Sequence, residues 1–165
     1  MEVEVKIYEN LDKIEKFLID KKCKLVKNEF QETYIYDNAN NSIFACTDGI
    51  LRIRITKDNV TGNIEKTVTL KKLANIDKNI KSFNEYIVKI NDEKAMQNIF
   101  LEMGLCLKEY VLKDRKSYSY KNCLFEFDTL KRKDKTEIYL EVEASSKDAV
   151  QTVLNKINND LNLSL

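Results

Sequence analysis

The 165-residue chain contains no histidine and no proline, only three glycines, and four cysteines. Without histidine there is no Ser-His-Asp or Cys-His nucleophilic system, no imidazole metal ligand and no imidazole acid–base step. Three scattered glycines cannot build a Walker or Rossmann phosphate loop. The cysteines (Cys23, Cys46, Cys106, Cys123) include no Cys-x-x-Cys pair, so they offer no zinc site and read as reduced thiols used as small hydrophobes. A dominant charge is missing too: 28 basic residues face 27 acidic ones. No bulk field recruits nucleic acid or an anionic membrane, and any anion must be bound by local placement of charge. No apolar run approaches the ~18 residues of a membrane span, and the acidic N-terminus is unlike a signal peptide. The expectation is one cytoplasmic domain over residues 1–165, monomeric or homodimeric, whose chemistry falls to carboxylates, Lys, Arg, Tyr or a metal.

What is present is alternation. Met1–Ile7 alternates strictly, placing Glu2, Glu4 and Lys6 on one face of a strand and Val3, Val5 and Ile7 on the other. A helix follows with Leu11, Ile14, Phe17 and Leu18 on one face and Asn10 as its expected cap. Lys24–Asp37 reads as extended, 37–42 as a loop, and Asp48-Gly49 as a turn into Ile50–Thr56. Strands are expected at Ile64–Leu73 and Ser82–Ile90, separated by a polar stretch at 75–81. Asn91 or Asp92 caps a second helix carrying Met96, Ile99, Phe100 and Met103, with Gly104 past its end. Leu105–Tyr120, Cys123–Leu130 and Thr136–Ala144 read as strands, with Lys121-Asn122 as a hairpin turn. Ser145 or Ser146 starts a last helix through Ile157. The sum is about eight strands and about three amphipathic helices.

Sorted by parity, the strands share one charged face. It carries Glu2, Glu4, Lys6, Arg52 and Arg54, then Thr67, Thr69, Lys71 and Glu85. It continues with Lys113, Arg115, Glu126, Asp128, Glu141 and Glu143. The opposite parity is apolar: Leu51, Ile53, Val68, Leu70, Tyr86, Val88, Phe125, Phe127, Leu140 and Val142. An ordinary sheet with one wet face also alternates, but its wet face is a mixture rather than paired arginines and paired glutamates. Eight antiparallel strands can close and lose their edges, which predicts a mainly β, α+β fold: a closed eight-stranded barrel with a charged lumen and flanking helices. Such a lumen is expensive unless its charges pair or bind ions. Glu2, Glu4, Glu141 and Glu143 are hard oxygen donors that select Mg²⁺ or Mn²⁺ over zinc. Arg52, Arg54, Lys71, Lys113 and Arg115 form a cationic wall suited to several phosphate oxygens.

In the same residues the chain resembles the CYTH superfamily, the triphosphate tunnel metalloenzymes, which include class IV adenylyl cyclases and thiamine triphosphatases. Glu2-Val-Glu4-Val-Lys6 is similar to the family's Glu-x-Glu-x-Lys, and Leu51-Arg52-Ile53-Arg54 to its Leu-Arg-Ile-Arg. Thr69-Leu70-Lys71, Lys113-Asp114-Arg115, Asp128 and Glu141-Val142-Glu143 follow in order. The resemblance implies metal held by Glu2, Glu4 and Glu143 with Glu141 close by. It further implies a triphosphate gripped by Lys6, Arg52, Arg54, Lys71, Lys113 and Arg115. Three stretches depart from the family: Phe83–Ile87 keeps only Glu85 of an acidic fifth-strand motif, Asp128–Lys135 lacks the glycines usual before the last strand, and Thr33–Asp37 shows the second-strand Asp-x-Tyr-Phe-Asp only loosely.

Three functions are therefore expected to compete. The first is metal-dependent hydrolysis of an organic or inorganic triphosphate, with Lys6, Glu85, Glu126 and Asp128 as candidate catalytic residues and one of the three acids accepting a proton. The second is cyclisation of ATP to cyclic AMP and pyrophosphate on the same wall. The third is a tunnel that binds polyphosphate or nucleotide without turnover. The expected partner is a small triphosphate, with no nucleic acid and no membrane.

Overall fold

The computed structural model describes residues 2–77 and 79–164, so the expected strand start at Met1 lies outside the described residues. The elements in chain order are β1 (Glu2–Ile7), α1 (Leu11–Asp20), β2 (Lys24–Asp37), α2 (Ser42–Thr47), β3 (Ile50–Asp58) and β4 (Ile64–Asp77). They continue with β5 (Ile80–Lys89), α3 (Glu93–Glu102), β6 (Cys106–Tyr120), β7 (Cys123–Lys131), β8 (Thr136–Ala144) and α4 (Lys147–Leu161). The strands close into an antiparallel barrel in the order β1-β5-β4-β3-β2-β6-β7-β8. β1 is the closing stave: Val3 lies opposite Ser82 on one side and Ala144 on the other.

Most expected boundaries hold to within a few residues, and three differences have physical causes. β4 and β5 run through most of the polar 75–81 stretch, because a register shift between Leu73 and Asn75 lets the ladder continue to Asp77 opposite Ile80. A fourth helix, α2, stands just after the expected 37–42 loop, and the Asp37 carboxylate holds its start. That carboxylate accepts the backbone N–H groups of Ile43 and Phe44 at 3.0 Å each. Asn10 does not cap α1 with its side chain. It adopts the left-handed conformation at φ 60° and only its carbonyl is used, accepting from Ile14 N–H. α3 and α4 are capped as expected, by Asp92 and Ser146. At the hairpin, Lys121 and Asn122 both take positive φ, the geometry that matches the strand twist.

The apolar parity faces outward. On the β1–β8–β7 side it packs under α1 and α4, where Ile14, Leu18, Phe125, Leu140, Val142 and Val150 are all completely buried. A second, smaller cluster joins Tyr36 and Ile53 to Phe100 of α3. Coverage is uneven: Tyr86 and Val88, on the outward parity, stay mostly exposed. The cysteines are all free; Cys123 is buried in the core as expected, whereas Cys46 is exposed. Among the described residues no helix is long and apolar enough to cross a membrane.

Candidate functional site

The charged parity faces inward and surrounds a cavity of about 810 Å³. An amphipathic sheet with its charges in open water is thereby replaced by a walled tunnel. Glu2, Glu4, Lys6, Arg52, Arg54, Lys71, Glu85, Lys113, Arg115, Glu141 and Glu143 all line it. Glu126 and Asp128 share the inward parity but are completely buried behind the cations they bind, and neither reaches the cavity wall.

Three carboxylates converge at one place in this wall. Glu2 and Glu4 stand one inward step apart on β1, and β8 is hydrogen-bonded beside them with Glu4 opposite Glu143. One oxygen from each of Glu2, Glu4 and Glu143 lies within 4.8 Å of the others, a spacing that lets them share an ion. Burial, then the charges of Glu126 and Glu2, push the Glu143 carboxyl up to about 9. Glu4 is also raised, first by burial and then by Glu141 against the opposing pull of Lys71. A site that resists its own negative charge this strongly is one that a divalent cation would relieve, and an all-carboxylate donor set suits a hard cation. A second cluster, Glu126, Glu141 and Glu143, meets the same distance criterion, but its first two members already serve cations.

Those cations sit on β6. Arg115 makes a two-pronged contact with Asp128, Nε to Oδ1 at 2.7 Å and Nη2 to Oδ2 at 2.6 Å. It also donates to Glu141 at 2.7 Å and pairs with Glu126. Lys113 donates to Asp128 at 2.6 Å, and Lys6 approaches Glu141 at 3.2 Å. Burial opposes the Arg115 charge, but hydrogen bonding to Asp128 and the Glu126 charge raise it well above its ordinary value. Lys113 goes the other way: burial, then repulsion from Arg115, bring its ammonium down to about 8. Glu141 is held well below the usual carboxylate range, because Lys113, Arg115 and Lys6 overcome its burial.

The β3 cations are left open. The Nε of Arg54 donates to the Thr33 hydroxyl at 3.1 Å, and among the described residues no carboxylate lies within ion-pair distance of it. Among the described residues, Arg52 reaches only the Glu85 carboxylate, at 3.8 Å, and its buried Nε has no hydrogen-bond partner. Burial, together with the repulsion between Arg52, Arg54 and Arg115, presses the Arg54 guanidinium below its ordinary value. Arginine does not give up its proton in a protein, so the relief available to this pair is an anion.

The tunnel also has a direction. From Glu4, Lys71, Arg52, Thr33, Lys113, Asp128 and Glu141, the next inward residue toward one end of the barrel is Lys6, Leu73, Ile50, Ile35, Val111, Leu130 and Tyr139 respectively. The step runs up one strand and down its antiparallel neighbour, and every residue it reaches lines the cavity. Five of the seven are aliphatic and one is aromatic. Val111, Leu130 and Tyr139 pack together as a buried cluster with Ile35 against it, forming an apolar collar. Tyr139 carries Lys6 over its ring at 4.4 Å. The opposite direction leads to Thr56, Thr67 and Ser117, a polar end.

The sequence reading missed Lys27, Thr33, Tyr139 and the collar. Lys27 donates to Glu126 at 2.9 Å from β2, just past a register shift between Leu25 and Lys27 that interrupts simple parity. Thr33 and Tyr139 carry the signal they needed, since each keeps the inward parity of its strand.

The comparisons with known proteins agree with this architecture. The CYTH domain model matches residues 1–164. A candidate adenylate cyclase of Methanocaldococcus jannaschii is 31% identical over 170 residues, covering 99% of this chain and 91% of that protein. Among solved structures, a protein from Pyrococcus horikoshii superposes with a TM-score of 0.75 at 26% identity, covering 98% of this chain and 89% of the other. A candidate adenylyl cyclase from Hippeastrum, described as having a dominant triphosphatase activity, has the same fold with a TM-score of 0.70 at 15% identity. That match covers 97% of this chain and 87% of the other. With a family match that runs through the tunnel residues of all eight strands, the chain belongs to the CYTH-domain family.

Proposed function

We propose that this protein hydrolyses a triphosphate bound lengthwise in the tunnel with the help of a divalent cation, Mg²⁺ or Mn²⁺. The observation that carries this reading is the under-compensated arginine couple Arg52–Arg54, with one carboxylate at 3.8 Å between them, enclosed in a tunnel whose other strong cations are held at closer range. Enclosed cations that outnumber their carboxylates are a site for a multiply charged anion, and guanidinium forks suit phosphate oxygens. Lys113, Arg115 and Lys6 line the same cavity and add further positive charge along the chain of phosphates.

Glu2, Glu4 and Glu143 would hold the metal, which when bound supplies charge neutralisation at a phosphoryl oxygen and a more acidic water. Glu85 is the one candidate proton acceptor of the three that faces the cavity, and it stands beside Arg52. Asp128 and Glu126 serve by fixing Arg115 and Lys113, which keeps those cations in place before substrate arrives. The apolar collar has no use for phosphate. It suits the organic group of an organic triphosphate, with the terminal phosphate toward the polar end.

Cyclisation is the second reading, favoured by the name of the Methanocaldococcus jannaschii relative. It demands that a ribose be held with its 3′-oxygen about 3–3.5 Å from the α-phosphorus and in line with the bond that breaks. The chain departs from the family pattern at Phe83–Ile87 and Asp128–Lys135, and Leu130 and Arg132 of the second stretch lie at the collar. This is the end that would grip a nucleoside, which favours hydrolysis. Incubating the untagged protein with ATP, thiamine triphosphate or tripolyphosphate and Mn²⁺, then resolving products by chromatography, decides the matter. Orthophosphate is expected. Cyclic AMP with pyrophosphate from ATP would install the cyclase, and tight binding without turnover would leave a binding module.

A further inference from the structure

The carboxylates that suit a metal are in contact with a cation of the protein's own. Lys71 of β4 extends its Nζ to Glu4 at 2.7 Å, to Glu2 at 3.1 Å and to Glu85 at 3.4 Å. The ring of Phe83 lies against the same ammonium, 4.2 Å from its centroid. Its side chain is only 13% exposed, and its ammonium is within ion-pair distance of all three carboxylates at once. Among the described residues, no other lysine lining this cavity is held by three carboxylates.

An ammonium and a divalent ion compete for the carboxylates of Glu2 and Glu4 and repel each other there. Metal–oxygen bonds of about 2.0–2.2 Å would bring the two cations within a few ångströms of each other. One must leave, and lysine is the movable one, a point charge on a flexible four-carbon stem. Glu85 marks the direction, since it touches both Lys71 and Arg52 and so links the carboxylate triad to the open arginine pair. Once evicted, Lys71 has given up its contacts with Glu2 and Glu4 and needs an anion beside Arg52.

We propose that Lys71 is a resident counter-ion of the metal site, displaced by the arriving divalent cation onto the phosphates, so that metal and triphosphate bind with positive coupling. This rests on the reading of Glu2, Glu4 and Glu143 as the metal holders. Metal alone must evict Lys71 into a tunnel that offers it no new partner. Triphosphate alone finds Lys71 engaged elsewhere. Together each supplies what the other lacks, and the coupling is the same whichever binds first. Lys71 is thus a positioning residue for the metal as well as a ligand of the phosphates.

The test is Mn²⁺ titration by calorimetry in the absence of any phosphate compound. Lys71→Met should bind Mn²⁺ about tenfold tighter or more than wild type, since a close competing charge is gone. Lys71→Arg, which keeps that charge, should stay near wild type. Lys6→Met removes an equal charge that contacts Glu141 rather than Glu2 and Glu4, and should tighten Mn²⁺ far less. The gain in tripolyphosphate affinity produced by Mn²⁺ should shrink in Lys71→Met. Unchanged or weaker Mn²⁺ binding by Lys71→Met overturns the proposal. So does equal tightening by Lys6→Met. If Lys71→Met does not fold, amine-reactive labelling of wild type read by mass spectrometry takes its place. Labelling of Lys71 should rise with Mg²⁺ alone and fall when tripolyphosphate is added, and no change at saturating Mg²⁺ is a refutation. Failure of both wild type and Lys71→Met to bind Mn²⁺ would remove the metal site itself, whereas an absence of hydrolysis leaves these titrations interpretable.

Discussion

The two sides of the tunnel treat the same kind of residue in opposite ways. On β6, Lys113 and Arg115 are met by Asp128, Glu126 and Glu141 at hydrogen-bond distance. On β3, Arg52 and Arg54 have one distant carboxylate and one hydroxyl between them. Residue type, parity and enclosure are alike; the neighbouring strand differs. β7 sets Asp128 opposite Arg115, with Glu126 one inward step away, while β2 and β4 set Thr33, Thr67 and Thr69 opposite the β3 arginines. One side has its compensating charge built in; on the proposed function the other leaves that role to a ligand. A cation wall read only as a count of positive charges would miss this division between frame and grip.

The largest effect expected from breaking the contrast is at the metal end. Glu2→Gln with Glu4→Gln removes two hard anionic ligands and should abolish metal-dependent phosphate release while the far-ultraviolet circular dichroism stays that of the folded barrel. Full turnover at limiting Mn²⁺ would end the metal assignment. Next comes the frame. Asp128→Ala strands Arg115 and Lys113 in a buried site, and urea unfolding should report a loss of about 3–5 kcal/mol.

Arg54→Met sharpens the comparison, because it should do the reverse of Asp128→Ala. Catalytic efficiency kcat/KM should fall by on the order of 10²-fold or more. Stability should hold or rise, since an unpaired enclosed cation is replaced by an apolar chain. A stability loss like that of Asp128→Ala would mean the two sides do not differ. The smallest effect is a pH dependence at Lys113. Burial and Arg115 lower this ammonium to about 8, so it is charged below that pH and neutral above it. Tripolyphosphate binding should therefore weaken within about tenfold as the pH rises through 8. Lys113→Arg should flatten that step in calorimetric titrations.

Legibility in the sequence followed the period-two pattern. Wherever charged residues recurred at alternate positions, as at Glu2–Lys6, Arg52–Arg54 and Glu141–Glu143, both the strand and its inward face could be read, and closure of eight such strands followed. The collar was illegible for the same reason. Ile35, Ile50, Val111 and Leu130 are inward and apolar, which breaks the equation of apolar with outward. α2 has too few residues to show a helical period, and its start depends on Asp37 at the end of β2. Least legible was which carboxylate faces the cavity. Glu85, Glu126 and Asp128 look alike as candidate bases along the chain. Only the register of β6 on β7 shows that two of them are spoken for.

The position of β1 carries a consequence for how the molecule is assembled. This strand, first in the sequence, bonds to β5 and to β8, so Val3 waits for Ala144 before the wall is complete. Contacts so distant in sequence make folding slow, because loop-closure entropy is lost before any pairing repays it. The carboxylate triad draws on both of these strands, so it comes into being at the same step that shuts the barrel. On the proposed metal reading, a divalent ion would recognise the shut barrel and not the open chain, and by mass action it would act as a clasp on that seam.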